Sequence, residues 1–392
     1  MSINLHTKLK NDYSYKLIQL TPDLLKILTN KENRNSLQFK SVSRDLNNDD
    51  ETNQNNDVVL CSDDKTWLMR QMNHSNTVLL MKEFIPDEAP DSDKVPLFGT
   101  NTAPNKDYLG FVRTTFEYET QLINNPLVNL NNIPIYNGEI EFPKKSEKLH
   151  IKDKKTILKN SLCSREEFDR RWTNIGGCRI NGYMCILSSD FMSKVLHIVL
   201  MSIMAESLDT KNLTIKDIYN AVNKDINEDQ ENTKNNLYSK DVVETVIKKF
   251  SLMNIESKQE TWRLNMKEIV MWYGINALKK YVSKKSMSQD EFLIKWKSLF
   301  PPYFPSEMDL QLLAGWYYRP SSNSIQYISK DILPNDIKDR FKMLFKLQSQ
   351  WQQEDIVPFI EEFNTKNLKI DSFIMKFSRR KRIGNKFIIS SR

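Results

Sequence analysis

The last 28 residues of the chain carry the side chains best suited to bind phosphate. The segment from Thr365 to Arg392 contains nine Lys and Arg residues against one acid, Asp371, which gives a net charge of +8. The whole chain has a formal charge of +7, so the first 364 residues sum to −1. Lys and Arg side chains donate charge-assisted hydrogen bonds to phosphate oxygens. Three interpretations fit such a segment: an import tag or solvated tail, a membrane-surface helix, or a phosphate-binding face of a folded domain.

Helical spacing favours the phosphate-binding face. At about 100° per residue, the apolar side chains of the segment fall in one sector: Ile370, Phe373, Ile374 and Phe377. The opposite sector holds Ser372, Lys376, Arg379 and Arg382, with Arg380 on the flank. A disordered tag needs no apolar stripe, and a membrane-surface helix would have a wider one with interfacial Trp. We therefore expect a docked helix with outward cations, then a turn at Ile383–Asn385 and a strand over Lys386–Ile389.

The predicted DNA-binding residues lie on this helix and on the segment that follows it: Ser372, Lys376, Arg379, Arg380, Arg382, Lys386 and Arg392. The exposed side of the predicted helix has Lys and Arg but neither Asn nor Gln. Contacts from Lys and Arg to phosphates position a protein on nucleic acid, whereas Asn and Gln can read adenine edges. The sequence therefore favours contact with the phosphate backbone over readout of bases.

No catalytic residue, metal ligand or cofactor-binding motif is predicted. None of the nine glycines forms a G-x-G-x-x-G or G-x-x-x-x-G-K-[ST] loop, and Gly176–Gly177 lacks the Lys and the Ser or Thr that would reach phosphates and magnesium. The four histidines are far apart, and His197 lies on an apolar stretch typical of a core histidine. Acidic runs such as Asp49–Glu51 and Glu361–Glu362 are typical of solvated charges rather than of acid–base pairs. We expect a protein that is not an enzyme.

The composition indicates a folded, soluble intracellular protein of two or three domains. The chain is 39% hydrophobic with seven Trp and nineteen Phe, enough for packed cores. The four cysteines lack metal-binding spacing and the N-terminal residues lack a secretion signal, so free thiols in a reducing compartment are expected. The most apolar stretch, Val195–Ala205, has 11 residues, too few to span a bilayer. No membrane partner is expected.

The first 150 residues are predicted to form β-structure. Short runs of β-branched and aromatic residues recur there: YKLIQLT, SLQFKSV, DVVLCS, TWLMRQM, NTVLLMKEF and LGFVRTTFEYET. Polar stretches at 44–57 and 86–107 are predicted to be surface loops. Strands in this number indicate a sandwich or barrel whose edges must be covered. We expect residues 1–150 to be an assembly domain, a barrel-like region that partner chains complete, although the chain could close its own sheet.

The remainder is predicted to hold a connecting helix and hairpin (151–188) and three repeats (189–266, 267–331 and 332–392). Each repeat reads as a long helix, two shorter helices and a strand pair, the order of a winged helix. The third helix of such a fold can enter the major groove of DNA. Only the last repeat has a basic third helix, because the second has the acidic and aromatic EMDLQLLAGWYY there. The predicted fold class is α+β, with a barrel-like N-terminal region followed by three tandem winged helices.

Longer stretches of the chain resemble one family from end to end. The resemblance is carried by SINLH, YKLIQLTP, HSNTVLLMKEF, IPIYNGE, LMSIMAESLD, WYGINALKKYVS, DEFLIKWKSLFPP, RFKMLFKLQSQW and KIDSFIMKFSRRKR. These stretches are similar to the DCC (defective in sister chromatid cohesion) subunits of the alternative replication factor C clamp loader. The Asn- and Asp-rich stretch at 44–57 departs from the family.

The resemblance implies a non-catalytic subunit with several partners. The N-terminal part would join a small companion subunit and the C-terminal tail of the large clamp-loader subunit in a shared β-barrel. Three winged helices would contact DNA, single- or double-stranded, and the catalytic subunit of DNA polymerase epsilon. The protein would be nuclear and would tether a loader, whose ATPase lies in other subunits, to leading-strand forks.

The alternative is a tandem winged-helix transcription or chromatin factor with sequence-specific DNA binding. Such a factor binds its own duplex ~10³-fold or more over random DNA, whereas a tether does not discriminate. A nuclease would need metal-dependent cleavage by a carboxylate cluster, and the sequence shows none.

Overall fold

The computed structural model of the protein shows an α+β chain. It describes residues 4–7, 15–30, 36–41, 58–83, 108–124, 126–131, 133–139, 142, 153–229, 237–254, 260–305, 307–321, 323–329, 332–364, 368–384 and 386–392. Within these residues the chain forms eleven α-helices and five sheets, which confirms the predicted α+β class. The predicted loops at 44–57 and 86–107 lie outside the described residues.

Contacts divide the chain into two compact units, each made of two stretches. The N-terminal unit comprises residues 1–133 and 149–172, and the C-terminal unit comprises residues 134–148 and 173–392. The finer division into an assembly domain, a connecting segment and three winged helices stays a prediction.

The N-terminal unit is built on one open, six-stranded sheet. Its strands are β1 (Asn4–His6), β2 (Ile18–Gln19), β3 (Gln38–Ser41), β4 (Val58–Cys61), β5 (Thr66–Glu83) and β6 (Tyr108–Leu122). The strand order is β1-β6-β5-β4-β3, and β2 also pairs with β6. The described strands do not close into a barrel, which leaves β3 at one edge. The sheet confirms the β-rich N-terminal region, and its completion by partner chains stays a prediction.

Strand β5 is longer than the sequence predicts. The runs TWLMRQM and NTVLLMKEF, predicted as two strands, form one strand of 18 residues that pairs with β6. The pairing is irregular between Asn73 and Val78, where the polar sequence NHSN resembles a turn. His74 Nε2 lies 3.1 Å from Glu117 Oε1 on β6, so a cross-strand contact ties this polar stretch into the ribbon.

The second stretch of the N-terminal unit returns to pack on the sheet. The helices of this unit are α1 (Pro22–Thr29), α2 (Lys154–Lys159) and α3 (Arg165–Asn174). The backbone N–H of Ser164 donates to Thr66 Oγ1 at 2.8 Å, and Lys40 Nζ donates to Cys163 O at 2.7 Å. These hydrogen bonds join residues about 100 positions apart, and they explain why residues 149–172 belong to the same compact unit as the sheet.

The C-terminal unit begins with a small sheet and a three-helix repeat. The sheet holds β7 (Ile135–Tyr136), β8 (Gly177–Ile180) and β9 (Tyr183–Leu187) in the order β7-β9-β8. The first repeat consists of α4 (Ser189–Ala205), α5 (Ile215–Asp229), α6 (Lys240–Phe250), β10 (Ser251–Met253) and β11 (Trp262–Leu264). The predicted order of three helices and a strand pair is confirmed here.

The second repeat has a shorter third helix than predicted. It contains α7 (Met266–Tyr281), β12 (Met287–Ser288), α8 (Gln289–Lys297), a 3-10 helix (Leu310–Leu313), β13 (Tyr317–Tyr318) and β14 (Ser324–Tyr327), with sheet order β12-β14-β13. The prediction of a helix over EMDLQLLAGWYY is wrong, since only the 3-10 turn is helical and the chain then enters β13. Gly315, at φ +87°, redirects the chain between them, a conformation that glycine adopts without strain.

The third repeat follows the order of elements of the second, with one additional helix, α11, before its last two strands. It contains α9 (Ile337–Leu347), β15 (Gln350–Gln352), α10 (Gln353–Ile360), a 3-10 helix (Glu361–Phe363), α11 (Ile370–Phe377), β16 (Arg379–Ile383) and β17 (Lys386–Ser390). The sheet order is β15-β17-β16. The sequence predicts neither β12 nor β15, because strands of two or three residues leave no periodic pattern.

The third repeat has a hydrophobic core of its own. Its buried residues include Leu344, Trp351, Phe359, Ile374 and Ile389. Trp351 Nε1 donates to Leu344 O at 3.0 Å, so the buried indole has a hydrogen-bond partner. The first two repeats and the β7–β9 sheet share a different core, which runs from Tyr136 to Ile325. The third repeat therefore packs as a separate module.

Candidate nucleic-acid interface

The predicted recognition helix is shorter than expected. α11 ends at Phe377 and the next residues form β16, so the predicted helical position of Arg379, Arg380 and Arg382 is wrong. Ser378 has extended backbone angles, φ −145° and ψ 174°, and its Oγ donates to a carbonyl one turn back in α11 at 2.9 Å. Pairing of β16 with β17 supplies the backbone hydrogen bonds that a longer helix would have made.

α11 buries one side and exposes the other. Phe373 and Ile374 are buried, and Phe377 is half-buried with its ring centre 5.5 Å from that of Phe373. Ser372 and Lys376, two of the predicted DNA-binding residues, are exposed. The apolar stripe predicted from helical spacing is thus confirmed within α11.

The basic residues of β16 alternate between the two faces of the sheet. In an antiparallel pair, successive residues lie on opposite faces and directly paired residues share a face. Arg380 pairs with the buried Ile389, so Arg380 and Arg382 lie on the face that turns toward the core. Arg379 and Lys381 lie on the opposite face.

Arg380 is engaged within the protein. Its Nη2 lies 3.1 Å from Asp371 Oδ2, and its Nε donates to Gln353 Oε1 at 2.7 Å. Its guanidinium carbon lies 3.5 Å from the centre of the Phe387 ring, and the side chain is only 18% exposed. Asp371, the single acid of the basic segment, therefore neutralises the charge of Arg380. Through Asp371 and Gln353, Arg380 connects β16 to α11 and α10.

Two further arginines contact backbone oxygens. Arg382 Nε donates to Gly384 O at 3.2 Å, in the turn between β16 and β17. Arg392 donates to Met375 O in the last turn of α11, where a cation also offsets the helix dipole. Both arginines are exposed, so their remaining donors face solvent.

Within α11, β16 and β17, four cations are exposed and form neither an ion pair nor a side-chain hydrogen bond with a described residue: Lys376, Arg379, Lys381 and Lys386. Lys381 is absent from the predicted set, because the assumed helical phase did not place it with the other cations. The run KFIIS is typical of a strand, and a strand at RRKRI that pairs with it would place every second residue on the same face. That pattern would have put Lys381 beside Arg379.

β15 extends the face on which Arg379 and Lys381 lie. Gln350 and Gln352 are paired with residues of β17 that share this face. We term this the outer sheet face; its cations and amide side chains are Arg379, Lys381, Lys386, Gln350 and Gln352, and Ile383, Ile388 and Ser390 lie on the same face. Residues two apart on a strand are ~7 Å apart, so Arg379 and Lys381 can contact different phosphates.

The last turn of the corresponding helix of the first repeat, α6, presents no such cations among the described residues. α6 packs against β8, and Thr245 Oγ1 donates to Gly177 O at 3.5 Å. Near the end of α6, Lys249 donates to Asn174 O and lies 5.1 Å from the centre of the Trp272 ring. Burial lowers the pKa of Lys249. This lysine therefore takes part in packing.

The described residues contain no group of three or more His, Cys, Asp or Glu side chains placed to hold a metal ion. His197 Nδ1 lies 3.3 Å from Tyr273 Oη, and burial lowers the pKa of this histidine. Among the same residues, no helix combines the length and apolar character needed to cross a bilayer.

Comparison with known proteins assigns the family. The family model described as "Sister chromatid cohesion protein Dcc1" matches residues 15–360. The chain belongs to this family. The sister chromatid cohesion protein DCC1 of Saccharomyces cerevisiae is 49% identical over 396 residues, covering 100% of both chains. The human protein of that name is 23% identical over 333 residues, covering 82% of this chain and 77% of the human one.

The family match confirms the resemblance seen in the sequence, but it ends at Ile360, before α11 and the β16–β17 hairpin. The yeast relative is aligned with the whole chain, basic segment included. Membership of the family therefore supplies the link to sister chromatid cohesion. The chemistry of the outer sheet face rests on its own geometry.

Proposed function

We propose that this family member is a non-catalytic, nuclear subunit of the cohesion-linked alternative clamp loader. In that role it tethers the loader to DNA and to the catalytic subunit of DNA polymerase epsilon during replication, without a cofactor. The outer sheet face carries the DNA-binding part of the proposal. With Lys376 it offers four cations that have no carboxylate partner among the described residues, on a repeat with its own core. Such charges are available to phosphates.

The order of elements supports winged-helix modules. The second and third repeats each run through a helix, a strand, a second helix, further short helical segments and two strands. In the third repeat most free cations lie on the β16–β17 hairpin rather than on the helix that would enter the major groove. We therefore assign most phosphate contacts to this hairpin, with Ser372 and Lys376 of α11 and the outward donors of Arg382 and Arg392 adding to them.

The N-terminal sheet supports the assembly role. On β5, Val78, Leu79, Leu80 and Met81 are each 40–51% exposed. Because neighbouring residues of a strand point to opposite faces, this part of the ribbon is apolar on both sides. Phe39 is also exposed, on the edge strand β3. Exposed apolar strands and unpaired sheet edges are usually buried by a partner. We propose that strands from the small companion subunit and from the C-terminal tail of the large clamp-loader subunit bury them here.

The first and second repeats support the polymerase contact. The wing strand β10 exposes Leu252 and Met253, and the second repeat exposes Ile294 and Tyr303. Apolar and aromatic side chains of this kind anchor protein–protein interfaces, whereas phosphate offers them no partner. We therefore assign the polymerase to one of these two repeats.

The experiment that tests DNA tethering replaces Arg379, Lys381 and Lys386 with Ala in the full-length protein. Each lost phosphate contact lowers the log–log salt slope by roughly 0.9, so the slope on duplex DNA should become shallower by ~2–3 units. Affinity should fall about equally for unrelated sequences, because phosphates carry no sequence information. Fluorescence anisotropy at several salt concentrations measures both quantities.

A matched control replaces three exposed lysines of the first repeat, Lys194, Lys211 and Lys240, and should leave the slope unchanged. If the outer-face variant keeps the parental slope, the outer sheet face does not contact DNA and the tethering role assigned to it fails.

Gln350 and Gln352 favour a second candidate function, a transcription or chromatin factor with sequence-specific DNA binding. Glutamine can form two hydrogen bonds with an adenine edge, and both side chains lie on the outer sheet face. Competition binding separates the two candidates. A preference of ~10³-fold or more for one duplex over random DNA supports the factor, and equal affinities support the tether.

A further inference from the structure

Arg319, the residue that follows β13, lies where the second repeat meets the third. Its backbone N–H donates to Gln348 Oε1 at 3.0 Å, and Gln348 caps the end of α9. Its Nε lies 3.5 Å from Asp355 Oδ2, in the first turn of α10. One residue of the second repeat thus makes polar contacts with two helices of the third. We term Arg319, Gln348 and Asp355 the repeat joint.

The side chain of Arg319 is held in place from within the second repeat. Its Nη1 donates to Oε1 of Gln289, the first residue of α8, at 3.1 Å. Its Nη2 donates to Tyr317 Oη at 3.4 Å, and its guanidinium carbon lies 5.4 Å from the centre of the Tyr317 ring. A guanidinium fixed on α8 and β13 loses little further conformational entropy when it contacts Asp355.

Gln348 is fixed from the side of the third repeat. Its backbone N–H donates to Leu344 O at 3.0 Å, one turn back in α9. Its Nε2 donates to Gln350 O at 2.7 Å, at the start of β15. Because Gln350 belongs to the outer sheet face, one side chain connects the repeat joint to that face.

The ion pair of the repeat joint is poorly suited to stabilise the fold. The side chains of Arg319 and Asp355 are only 22% and 19% exposed. Arg319 Nε and Asp355 Oδ2 are buried, and neither has an aligned hydrogen-bond partner among the described residues. Burial raises the pKa of the Asp355 carboxyl although Arg319 lies beside it, so the loss of hydration outweighs the attraction. Stability alone therefore does not account for this pair.

The relative orientation of the two repeats is what such a pair can determine. Tyr318 and Ile328 of the second repeat pack against the core of the third. Apolar contact has no preferred direction, so these two side chains allow several orientations. A hydrogen bond and an ion pair depend on distance and angle, and buried polar groups can select one arrangement at a cost in stability.

We propose that Arg319 is a positioning residue, which through the repeat joint fixes the orientation of the third repeat on the second. The two repeats then move as one rigid body, and the outer sheet face points in a fixed direction relative to the second repeat. A surface that is already oriented loses less freedom when its ligand binds. Only this last consequence rests on the proposed function, because the orientation itself requires no DNA.

Spin labels on α7 and α9 measure the orientation. The four cysteines of the chain are buried, so a thiol-reactive label should modify the cysteines introduced by Lys279→Cys and Lys346→Cys, at two exposed positions. Double electron–electron resonance on the full-length protein then gives the distribution of distances between the labels. The parent should give one narrow distribution. Arg319→Ala should widen it roughly twofold or more, because the repeats then populate several orientations.

Asp355→Asn tests the repeat joint from the other side. It removes the charge with little change in volume, and Arg319 keeps its hydrogen bonds to Gln289 and Tyr317, so the fold should be retained. The distribution between α7 and α9 should widen in this variant too. A parental width in either variant would overturn the proposal.

A second label pair, Lys346→Cys with Lys376→Cys, lies within the third repeat and reports whether that repeat is folded. Its distribution should keep the parental width in both variants. If it widens in Arg319→Ala alone, Asp355→Asn decides the question. If it widens in both, the repeat joint maintains the fold of the third repeat rather than its orientation, and the proposal is overturned.

Arg380→Ala is the matched control. Arg380 is 18% exposed and lies 3.1 Å from Asp371, but both residues belong to the third repeat. The distribution between α7 and α9 should keep its parental width in this variant. An equal widening would overturn the proposal, because the loss of any Arg–Asp pair would then act alike.

This inference and the proposed DNA tethering can fail separately. The distances are measured without DNA, so an unchanged salt slope in the outer-face variant leaves them unaffected. Parental distances in Arg319→Ala or Asp355→Asn overturn the positioning role of Arg319, and the salt-slope experiment on the outer sheet face remains valid. Wider distances in both variants, with a parental width in Arg380→Ala and for the label pair within the third repeat, support the role.

Discussion

α6 and α11 are the last helices of the first and third repeats, and each leads directly into a strand. α6 buries six of its eleven residues, because β8, α4 and α5 all pack against it. α11 buries two of its eight residues, Phe373 and Ile374, and exposes Ser372, Met375 and Lys376. The same position in a repeat thus serves packing in one case and exposure in the other. The role of this helix therefore depends on whether other elements of the protein pack against its outer side.

The cations near the two helices follow the same division. On α6, Lys248 is paired with Glu244 at 2.5 Å, and Lys249 is turned toward Trp272. Beside α11, the cations of the outer sheet face have no carboxylate partner among the described residues. Lys248 and Lys249 of α6 are thus used within the protein, whereas the cations beside α11 are left for a ligand.

The largest expected effect comes from truncating one phenylalanine at the end of α6 and one in α11. Phe250 at the end of α6 is fully buried, with its ring centre 5.3 Å from that of Trp272. Phe250→Ala should lower the free energy of unfolding by ~3–5 kcal/mol, and Phe377→Ala by roughly half as much, because Phe377 is only half-buried. Urea denaturation of the full-length protein measures both. Equal costs would mean that α11 is as enclosed as α6, and the comparison would be wrong.

A smaller effect should separate two adjacent arginines of β16. Arg380→Ala removes the ion pair with Asp371 and the contact with the Phe387 ring, and should lower stability by about 1–2 kcal/mol. Arg379→Ala should change stability by less than ~0.5 kcal/mol, because the side chain is exposed, but should make the salt slope on DNA shallower. Thermal melting and anisotropy on the same two variants test this. Indistinguishable phenotypes would contradict the assignment of the two faces.

The smallest effect concerns Lys249 and appears only at alkaline pH. Burial lowers its pKa in the folded protein, so between that pKa and the higher one of the unfolded chain, unfolding takes up protons. Stability from this group therefore rises as pH increases through that interval. Lys249→Met cannot titrate, so the parent should gain stability relative to the variant as pH rises. Urea midpoints of both proteins across alkaline pH measure the difference, and a constant difference would show that Lys249 titrates normally.

The spacing of apolar residues predicted the buried side of a helix better than the residue at which the helix ends. The spacing of Ile370, Phe373, Ile374 and Phe377 predicts the buried side of α11 correctly, since that pattern lies within the helix itself. The switch from helix to strand at Arg379 depends on pairing with β17, which follows it in the chain. A helical pattern has no information about such a partner, and tertiary pairing overrides it.

Partners distant in sequence account for the rest of what the sequence could not predict. The guanidinium Nε–H of Arg380 donates to the side chain of Gln353, 27 positions earlier, so no local count of charges separates this arginine from Lys381. Thr245 of α6 contacts Gly177, 68 positions earlier, so the covering of α6 is equally invisible in its own residues. The cluster of cations itself was predictable, because charge is a property of the residues alone.

The order in which the chain passes between its two compact units limits how the units can be exchanged between genes by recombination. The chain passes from one unit to the other after Ile133, after Lys148 and after Trp172. A recombination event that copied only the coding sequence for the first strands into another gene would leave behind the stretch whose Ser164 N–H binds Thr66. An event that copied the helical repeats from Ser189 onward would lose β8, one of the elements that pack against α6. No single contiguous stretch of coding sequence can therefore carry one whole unit without also carrying part of the other.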